Sequence, residues 1–328
     1  MIKFNAYRIY ENNGAGLGRV VEMELDELDA GEVVIKVAYS SVNFKDALAG
    51  TGAGKIVRRY PCVGGIDSSG TVVSSGDNRF KPGDEVICTS YDFAMSHDGG
   101  YAGYARVPAA WVVPLPAGMT LFDAMGIGTA GYTSALAVHL LEHNGMAPDQ
   151  GKVVVNGATG GCASIAIDML AGRGYQVTAV TGKSSEHAYL KEIGAVEIAG
   201  RDRLKLGSRP LEKGVWAAAF DSVGGDQLSA LTRSMQQHGL IASFGNAGGI
   251  ELTTTVLPFI LRGVRLIGVD SGYTPMDIRR RVWERLATDL KPRHLKNITR
   301  TITLDQLPET FAAMLKQETK GRTVVKIE

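Results

Sequence analysis

Up to about residue 120, apolar positions come in short runs separated by turn residues. Glu32-Val-Val-Ile-Lys-Val-Ala-Tyr reads as a strand, and Gly70-Thr-Val-Val and Asp84-Glu-Val-Ile-Cys as shorter ones. Ser75-Gly-Asp-Asn and Lys81-Pro-Gly-Asp between them are turn sequences, since glycine supplies positive φ and proline fixes its own. Short strands divided in this way predict an antiparallel barrel or sandwich.

The period then lengthens. Leu121 to His143 reads as a helix that stops at Asn144-Gly145. Strands follow at Lys152-Val-Val-Val-Asn, Tyr175-Gln-Val-Thr-Ala-Val, Trp216-Ala-Ala-Ala-Phe-Asp, Leu240-Ile-Ala-Ser-Phe and Arg265-Leu-Ile-Gly-Val-Asp. Helices over Ala163–Ala171, Glu186–Ile193 and Gln227–Gln237 separate them. Apolar strands alternating with helices predict a parallel sheet covered on both faces. A helix near Asp277–Leu290 and the strand Thr323-Val-Val-Lys-Ile return to mixed structure. The expected class is α/β, a Rossmann-type doubly wound sheet over 125–269, inserted in a β-rich domain made of 1–124 and 270–328.

Charge narrows the partners. Lys and Arg number 35 against 34 Asp and Glu, and the net charge of +1 argues against a nucleic-acid binder, which needs a basic surface. A hydrophobic content of 45% with 21% charged residues suits a globular core rather than a disordered chain. Glycine, at 41 of 328 residues, exceeds the usual ~7% without a collagen period, which points to tight turns. Cys62, Cys88 and Cys162 form no C-x-x-C pair, so neither a disulfide framework nor a cysteine-rich zinc lobe is expected. The N-terminus lacks the apolar core of a signal peptide, and no run suits a membrane span. A soluble cytoplasmic protein is expected.

Candidate chemistry begins at the first strand–helix junction of the α/β part. Asn156-Gly-Ala-Thr-Gly-Gly-Cys-Ala163 follows a strand and opens a helix. Against G-x-G-x-x-G/A it places Ala158, Gly160 and Ala163 at the three small positions, with Thr159, Gly161 and Cys162 between them. Backbone N–H groups and the helix dipole would hold a diphosphate there. The next strand runs into Thr181-Gly182-Lys183, without the acidic residue that grips a ribose 2′-hydroxyl in NAD enzymes. Lys183, with Arg201 further on, suits a 2′-phosphate instead, so NADPH is the expected cofactor. Glu186 lies close by but reads as a helix start.

These residues, with Ser41-Val-Asn-Phe-Lys-Asp-Ala-Leu, Gly65-Ile-Asp-Ser-Ser-Gly-Thr-Val and Gly128-Thr-Ala-Gly-Tyr-Thr, resemble the zinc-free medium-chain dehydrogenase/reductases. Thr51-Gly-Ala-Gly-Lys-Ile-Val-Arg, Ser208-Arg-Pro-Leu-Glu-Lys, Pro258-Phe-Ile-Leu-Arg and Gly268-Val-Asp-Ser are similar to the acryloyl-CoA reductase group, often labelled quinone oxidoreductases. The likeness runs from about residue 30 to the C-terminus. It implies a GroES-like catalytic domain around the NADPH domain. It also implies metal-free reduction of the C=C bond of acryloyl-CoA to propionyl-CoA, by hydride transfer to the β-carbon. Asn43 stands where zinc relatives carry a Cys ligand, and Gly65-Ile66-Asp67 replaces their G-H-E motif, so two soft ligands are missing.

By the same resemblance Asn43 and Phe44 flank the nicotinamide, and Asn246, Ile260 and Ser271 line its ribose end. The group has Tyr where this chain has Phe44, which removes a hydroxyl. Lys45 and Asp46 are the ionisable neighbours left for proton transfer, with water as the alternative. Lys55, Arg58 and Arg59 stand at helical spacing and suit the CoA phosphates, or else form a solvated basic face. His97 either touches substrate or makes a structural hydrogen bond. His139-Leu-Leu-Glu142-His143 matches H-x-x-E-H, but it lies at a helix C-terminus without an evident third ligand, so no metal is expected.

An NADPH:quinone or enone reductase is the alternative, with Tyr91, Phe93, Tyr101 and Tyr104 either stacking on a quinone or packing on their own loop. A non-catalytic NADPH-binding module is the lesser one. A homodimer is expected along the strand at Val264–Val269, after the apolar run Val256–Leu261.

Overall fold

The computed structural model describes Ile2 to Ile327. The chain divides into two compact units. One holds the residues up to Ala130, Gly272–Trp283 and the stretch from Leu295 onward; the other holds Gly131–Ser271 with Glu284–His294.

The first unit opens with a hairpin that precedes the sequence-predicted strands. Its strands β1 (Lys3–Asn12) and β2 (Ala15–Glu24) pair antiparallel through Asn13-Gly14, whose φ angles of 51° and 80° are both positive. A type I′ turn demands that, and Asn-Gly is its preferred sequence. Next come β3 (Val33–Val42), α1 (Phe44–Thr51), β4 (Cys62–Val63), β5 (Asp67–Ser75), β6 (Glu85–Thr89), β7 (Tyr104–Val107) and β8 (Val112–Pro114).

Leu121–His143 forms α2, but not as one continuous helix. Gly128 interrupts it with φ 52° and ψ −164°, a conformation that essentially only glycine tolerates.

The second unit alternates β9 (Lys152–Val155), α3 (Gly161–Gly172), β10 (Gln176–Val180), α4 (His187–Glu192) and β11 (Glu197–Ala199). It continues with β12 (Trp216–Asp221), α5 (Gly225–Ser234), β13 (Met235–Ser243), α6 (Leu257–Arg262) and β14 (Arg265–Gly268). The six strands are parallel in the order β11-β10-β9-β12-β13-β14. The order therefore reverses between β9 and β12, which opens the crevice where doubly wound sheets bind nucleotides. Val154, Trp216, Leu231 and Ile241 are fully buried in its core, each contributing about 1.5–3 kcal/mol.

The predicted helix near Gln227–Gln237 is too long at its C-terminal end. Met235 already pairs with Trp216 as the start of β13, before an irregularity that includes His238 at φ 58°. That break hides the strand's first residues from any period-two reading.

The chain ends with α7 (Met276–Ala287), α8 (Leu295–Ile298), β15 (Thr299–Ile302), α9 (Leu307–Leu315) and β16 (Arg322–Lys326). In the first unit these strands complete a sheet ordered β15-β16-β3-β5-β6-β8, with β7 also on β3, beside a smaller β2-β1-β4 sheet. Residues 284–294, read from sequence with the β-rich part, pack instead with the second unit. Buried Asp168 on α3 accepts from the His294 backbone N–H at 2.8 Å and bonds its Nδ1 at 2.9 Å, and Arg285 reaches Glu142 at 2.7 Å.

Candidate functional site

In the second unit the turn after β9 has the shape its sequence predicts. Gly157 sits at φ 59°, and a Cβ there would come within 2.5 Å of Ser222 Oγ, so glycine is needed on two counts. Gly160 is the N-cap of α3, whose first-turn N–H groups and positive dipole end suit an anion. Ala158 and Ala163 are buried, which lets the helix lie close to the sheet.

Two residues the sequence reading gave no role hold this turn. Asn156, directly after β9, is fully buried; its Nδ2 donates to Asp221 Oδ1 at 2.5 Å and its Oδ1 accepts from Ser222 N at 2.9 Å. Asp221, at the end of β12, also accepts from Gly224 N at 3.1 Å. Burial raises the Asp221 carboxyl above its ordinary pKa, against those donors. Polar residues closing otherwise apolar parallel strands were the available signal.

At the end of β10, Thr181 Oγ1 accepts from Lys183 N at 3.0 Å. A Cβ on Gly182 would meet Arg201 Nε at 2.8 Å and Cζ at 3.2 Å, so the guanidinium lies directly against this glycine. The turn at Thr181-Gly182-Lys183 thus carries a cation where NAD enzymes place a carboxylate. Of the other second-unit candidates, Cys162 opens α3, Asn246 is exposed after β13, Ile260 is 68% exposed on α6, and Ser271 Oγ accepts from Thr133 at 2.7 Å.

In the first unit, Asn43 caps α1, and Asp46 three residues on accepts from its backbone N–H at 2.8 Å, forming a capping box. Asn43 Nδ2 donates to Asp67 Oδ2 at 2.7 Å and to Asp46 Oδ2 at 3.2 Å, and its Oδ1 accepts from Arg322 at 3.2 Å. Asp46 also accepts from Ile66 N at 3.0 Å. Burial, then the neighbouring negative charge of Asp67, pushes the Asp46 carboxyl up to about 7, while three N–H donors oppose the shift.

Asp67 is itself buried, and accepts from Ser41, Asn43 and both the backbone and hydroxyl of Thr129. Arg322, inside the likeness but given no role from sequence because no spacing ties it to residues 41–46, bonds Ser41 Oγ, Val42 O and Gly126 O. Asn43 and Asp46 therefore act on the placement of α1. Lys45 is exposed on the same turn beside Phe44, which is 47% exposed.

The basic cluster is not helical. α1 ends at Gly52, which takes the left-handed conformation at φ 72°, and the chain through Lys55, Arg58 and Arg59 is irregular. Lys55 is exposed, whereas Arg58 pairs with Asp92 at 3.3 Å and Arg59 with Asp29. His97 sits in the same unit with Nδ1 3.1 Å from Asp98 O, Nε2 3.1 Å from Ala30 O and its ring on Trp111. Those contacts make it a loop fastener.

The aromatics offer no stacking platform. Phe93 and Tyr101 are buried, Tyr104 packs on Phe4, and Tyr91 lies between Trp111 and the Arg279 guanidinium. Glu142 of the H-x-x-E-H segment is held by Arg285 and Tyr175. Among the described residues, no group of three or more His, Cys, Asp or Glu could hold a metal ion.

Residues 29–117 match the alcohol dehydrogenase GroES-like domain. Over 326 residues, 99% of each chain, the protein is 48% identical to "Putative quinone oxidoreductase YhfP" of Bacillus subtilis (strain 168). A Bacillus subtilis yhfP crystal structure with NAD bound superposes with a TM-score of 0.97 at 47% identity, covering 100% of both chains. Acrylyl-CoA reductase AcuI of Ruegeria pomeroyi is 44% identical over 318 residues, 97% of this chain and 96% of that one. The yhdH oxidoreductase from Salmonella enterica in complex with NADP gives a TM-score of 0.96 at 46% identity, covering 99% of this chain and 100% of that one.

Proposed function

The chain belongs to the medium-chain dehydrogenase/reductase superfamily, in its acryloyl-CoA reductase and quinone oxidoreductase-like group, and we propose that it is an NADPH-dependent reductase of α,β-unsaturated acyl-CoA thioesters. The observation that carries the cofactor choice is Arg201 lying against Gly182 where a carboxylate would mark an NAD enzyme. When bound, the reduced nicotinamide would supply a hydride for the β-carbon of the thioester, and a proton delivered to the α-carbon would complete the conversion of acryloyl-CoA to propionyl-CoA.

The chain's own residues bind and orient. Thr159, Gly160, Gly161 and Cys162 receive the diphosphate at the α3 N-terminus, with Ala158 and Ala163 keeping the approach close. Thr181, Gly182, Lys183 and Arg201 receive the 2′-phosphate. By family likeness, Asn246, Ile260 and Ser271 line the nicotinamide and ribose end, and Asn43 and Phe44 face the ring. Asn43 and Asp46 fix the first turn of α1, and Lys45 beside them is the ionisable group left to serve the α-carbon. Lys55 and Arg58 receive the CoA phosphates. Developing negative charge on the thioester oxygen calls for donors already in place.

The same reading places a homodimer along β14, the last strand of its sheet, next to the exposed Val256, Ile260 and Leu261. A cytoplasmic location is in keeping with three cysteines that form no disulfide. Among the described residues, no helix is long and apolar enough to cross a membrane.

The deciding experiment follows NADPH oxidation with acryloyl-CoA, beside NADH and beside a small quinone. Turnover of acryloyl-CoA with NADPH, and little with NADH, is the expected result. Turnover with the quinone alone would overturn the thioester reading and favour the activity named for YhfP.

A further inference from the structure

A second polar concavity lies wholly within the second unit. It has a volume of about 330 Å³, and its walls carry Arg203, Lys205, Arg209, Lys213 and Arg233 against the carboxylate of Glu212. Trp216, one of the residues lining it, is the first residue of β12, so the pocket lies at the opposite end of that strand from Asp221 and the dinucleotide turn. Arg209, Glu212 and Lys213 of its lining come from the segment Ser208–Lys213, to which the cofactor reading gives no role.

The charge arrangement is unusual for a wall that merely faces water. Arg233 is only 9% exposed. Its guanidinium is held by carbonyls alone: Gly207 O at 2.9 Å, Arg209 O at 3.4 Å and Thr253 O at 3.2 Å. Its Nε–H is buried without an acceptor. Glu212 is shared between two of these cations: it pairs with Arg209 at 2.7 Å, and the Arg233 charge also helps to hold its carboxyl below the ordinary range. One carboxylate thus faces five cationic side chains, and an anion in the pocket would offset the charge left over. Arg203 is set in place 5.6 Å over the Trp216 ring, while Lys205 and Lys213 are exposed and able to close on a ligand. The volume suits a small molecule rather than a protein segment.

We propose that this pocket binds a small anion carrying two or more phosphate charges, separately from the dinucleotide turn. Either a free diphosphate presents that chemistry, or the phosphates of coenzyme A, which would then lie here rather than at Lys55 and Arg58.

Inorganic pyrophosphate titrated by calorimetry into the NADPH-saturated protein tests the site, because the cofactor phosphate positions are then filled. Saturable binding is expected, and the double variant Lys205→Ala/Lys213→Ala should bind about tenfold or more weakly while its NADPH affinity is unchanged. Coenzyme A added to the pyrophosphate complex separates the sources: competition assigns the pocket to the coenzyme's phosphates, and independent binding assigns it to a free anion. Binding no stronger than chloride at matched ionic strength, binding lost once NADPH is present, or undiminished binding in the double variant would each overturn the proposal.

Discussion

Arg322 Nη2 stands 3.9 Å from Asp67 Oδ2 inside the first unit, linked through the Ser41 hydroxyl, which accepts from Arg322 at 2.7 Å and donates to Asp67 at 2.5 Å. Both side chains are buried, so each charge depends on the other. Asp67→Asn leaves Arg322 buried without its counter-charge and should lower unfolding stability by about 3–5 kcal/mol. The pair Asp67→Asn/Arg322→Met should be less damaging than the single change. Urea denaturation of the three proteins checks this, and a single variant close to wild type would dismiss the pair as a structural element.

Gly128 is built against the same cluster. A Cβ there would lie 2.5 Å from both Arg322 Nη2 and Ser41 Oγ, in a backbone conformation that L-residues avoid. Gly128→Ala should therefore cost about 2 kcal/mol or more. Gly83→Ala, also at positive φ but with nothing within 4 Å, should cost about 1 kcal/mol. Equal midpoints for the two variants would refute the clash.

Asp46 gives a pH dependence of definite sign. Its carboxyl rises from 3.8 to about 7 on folding, so between those values the native state holds a proton that the unfolded chain has released. Its stabilising contribution is full below the lower value, falls as pH rises, and is gone above about 7. The stability difference between wild type and Asp46→Asn should thus change between about pH 4 and 7 and be flat above. A difference independent of pH across that window would show that Asp46 keeps an ordinary pKa.

Arg201→Ala should raise the KM for NADPH by about tenfold to a hundredfold, the value of one or two charge-assisted hydrogen bonds, and leave the KM for NADH unchanged. Steady-state kinetics with each cofactor reads the split. Equal effects on both would mean that Arg201 supports the turn without meeting the 2′-phosphate.

Leu261→Lys places a charge in the exposed apolar run beside the sheet edge, and the proposed dimer along β14 should sediment as a dimer in the wild type and as a monomer in this variant. An unchanged dimer would move the interface elsewhere.

Local chemistry carried much of this molecule in its linear order. The strand–turn–helix passage from Asn156 to Ala163 was readable because small residues at fixed offsets after a strand let the following helix start close to the sheet. The alternation of apolar strands with helices was enough for the parallel sheet. What tertiary structure decided were partnerships across long separations. No spacing rule couples Asn156 to Asp221 or Asn43 to Arg322, because burial alone creates the demand that each polar group be matched. The same burial turned Asp46 from a free acid into a helix cap. The left-handed Gly52 ended α1 before Lys55 could join a basic helical face, and Gly128 broke a helix whose composition gave no warning. Sequence determines which groups are available; the packed fold determines which of them remain free to react.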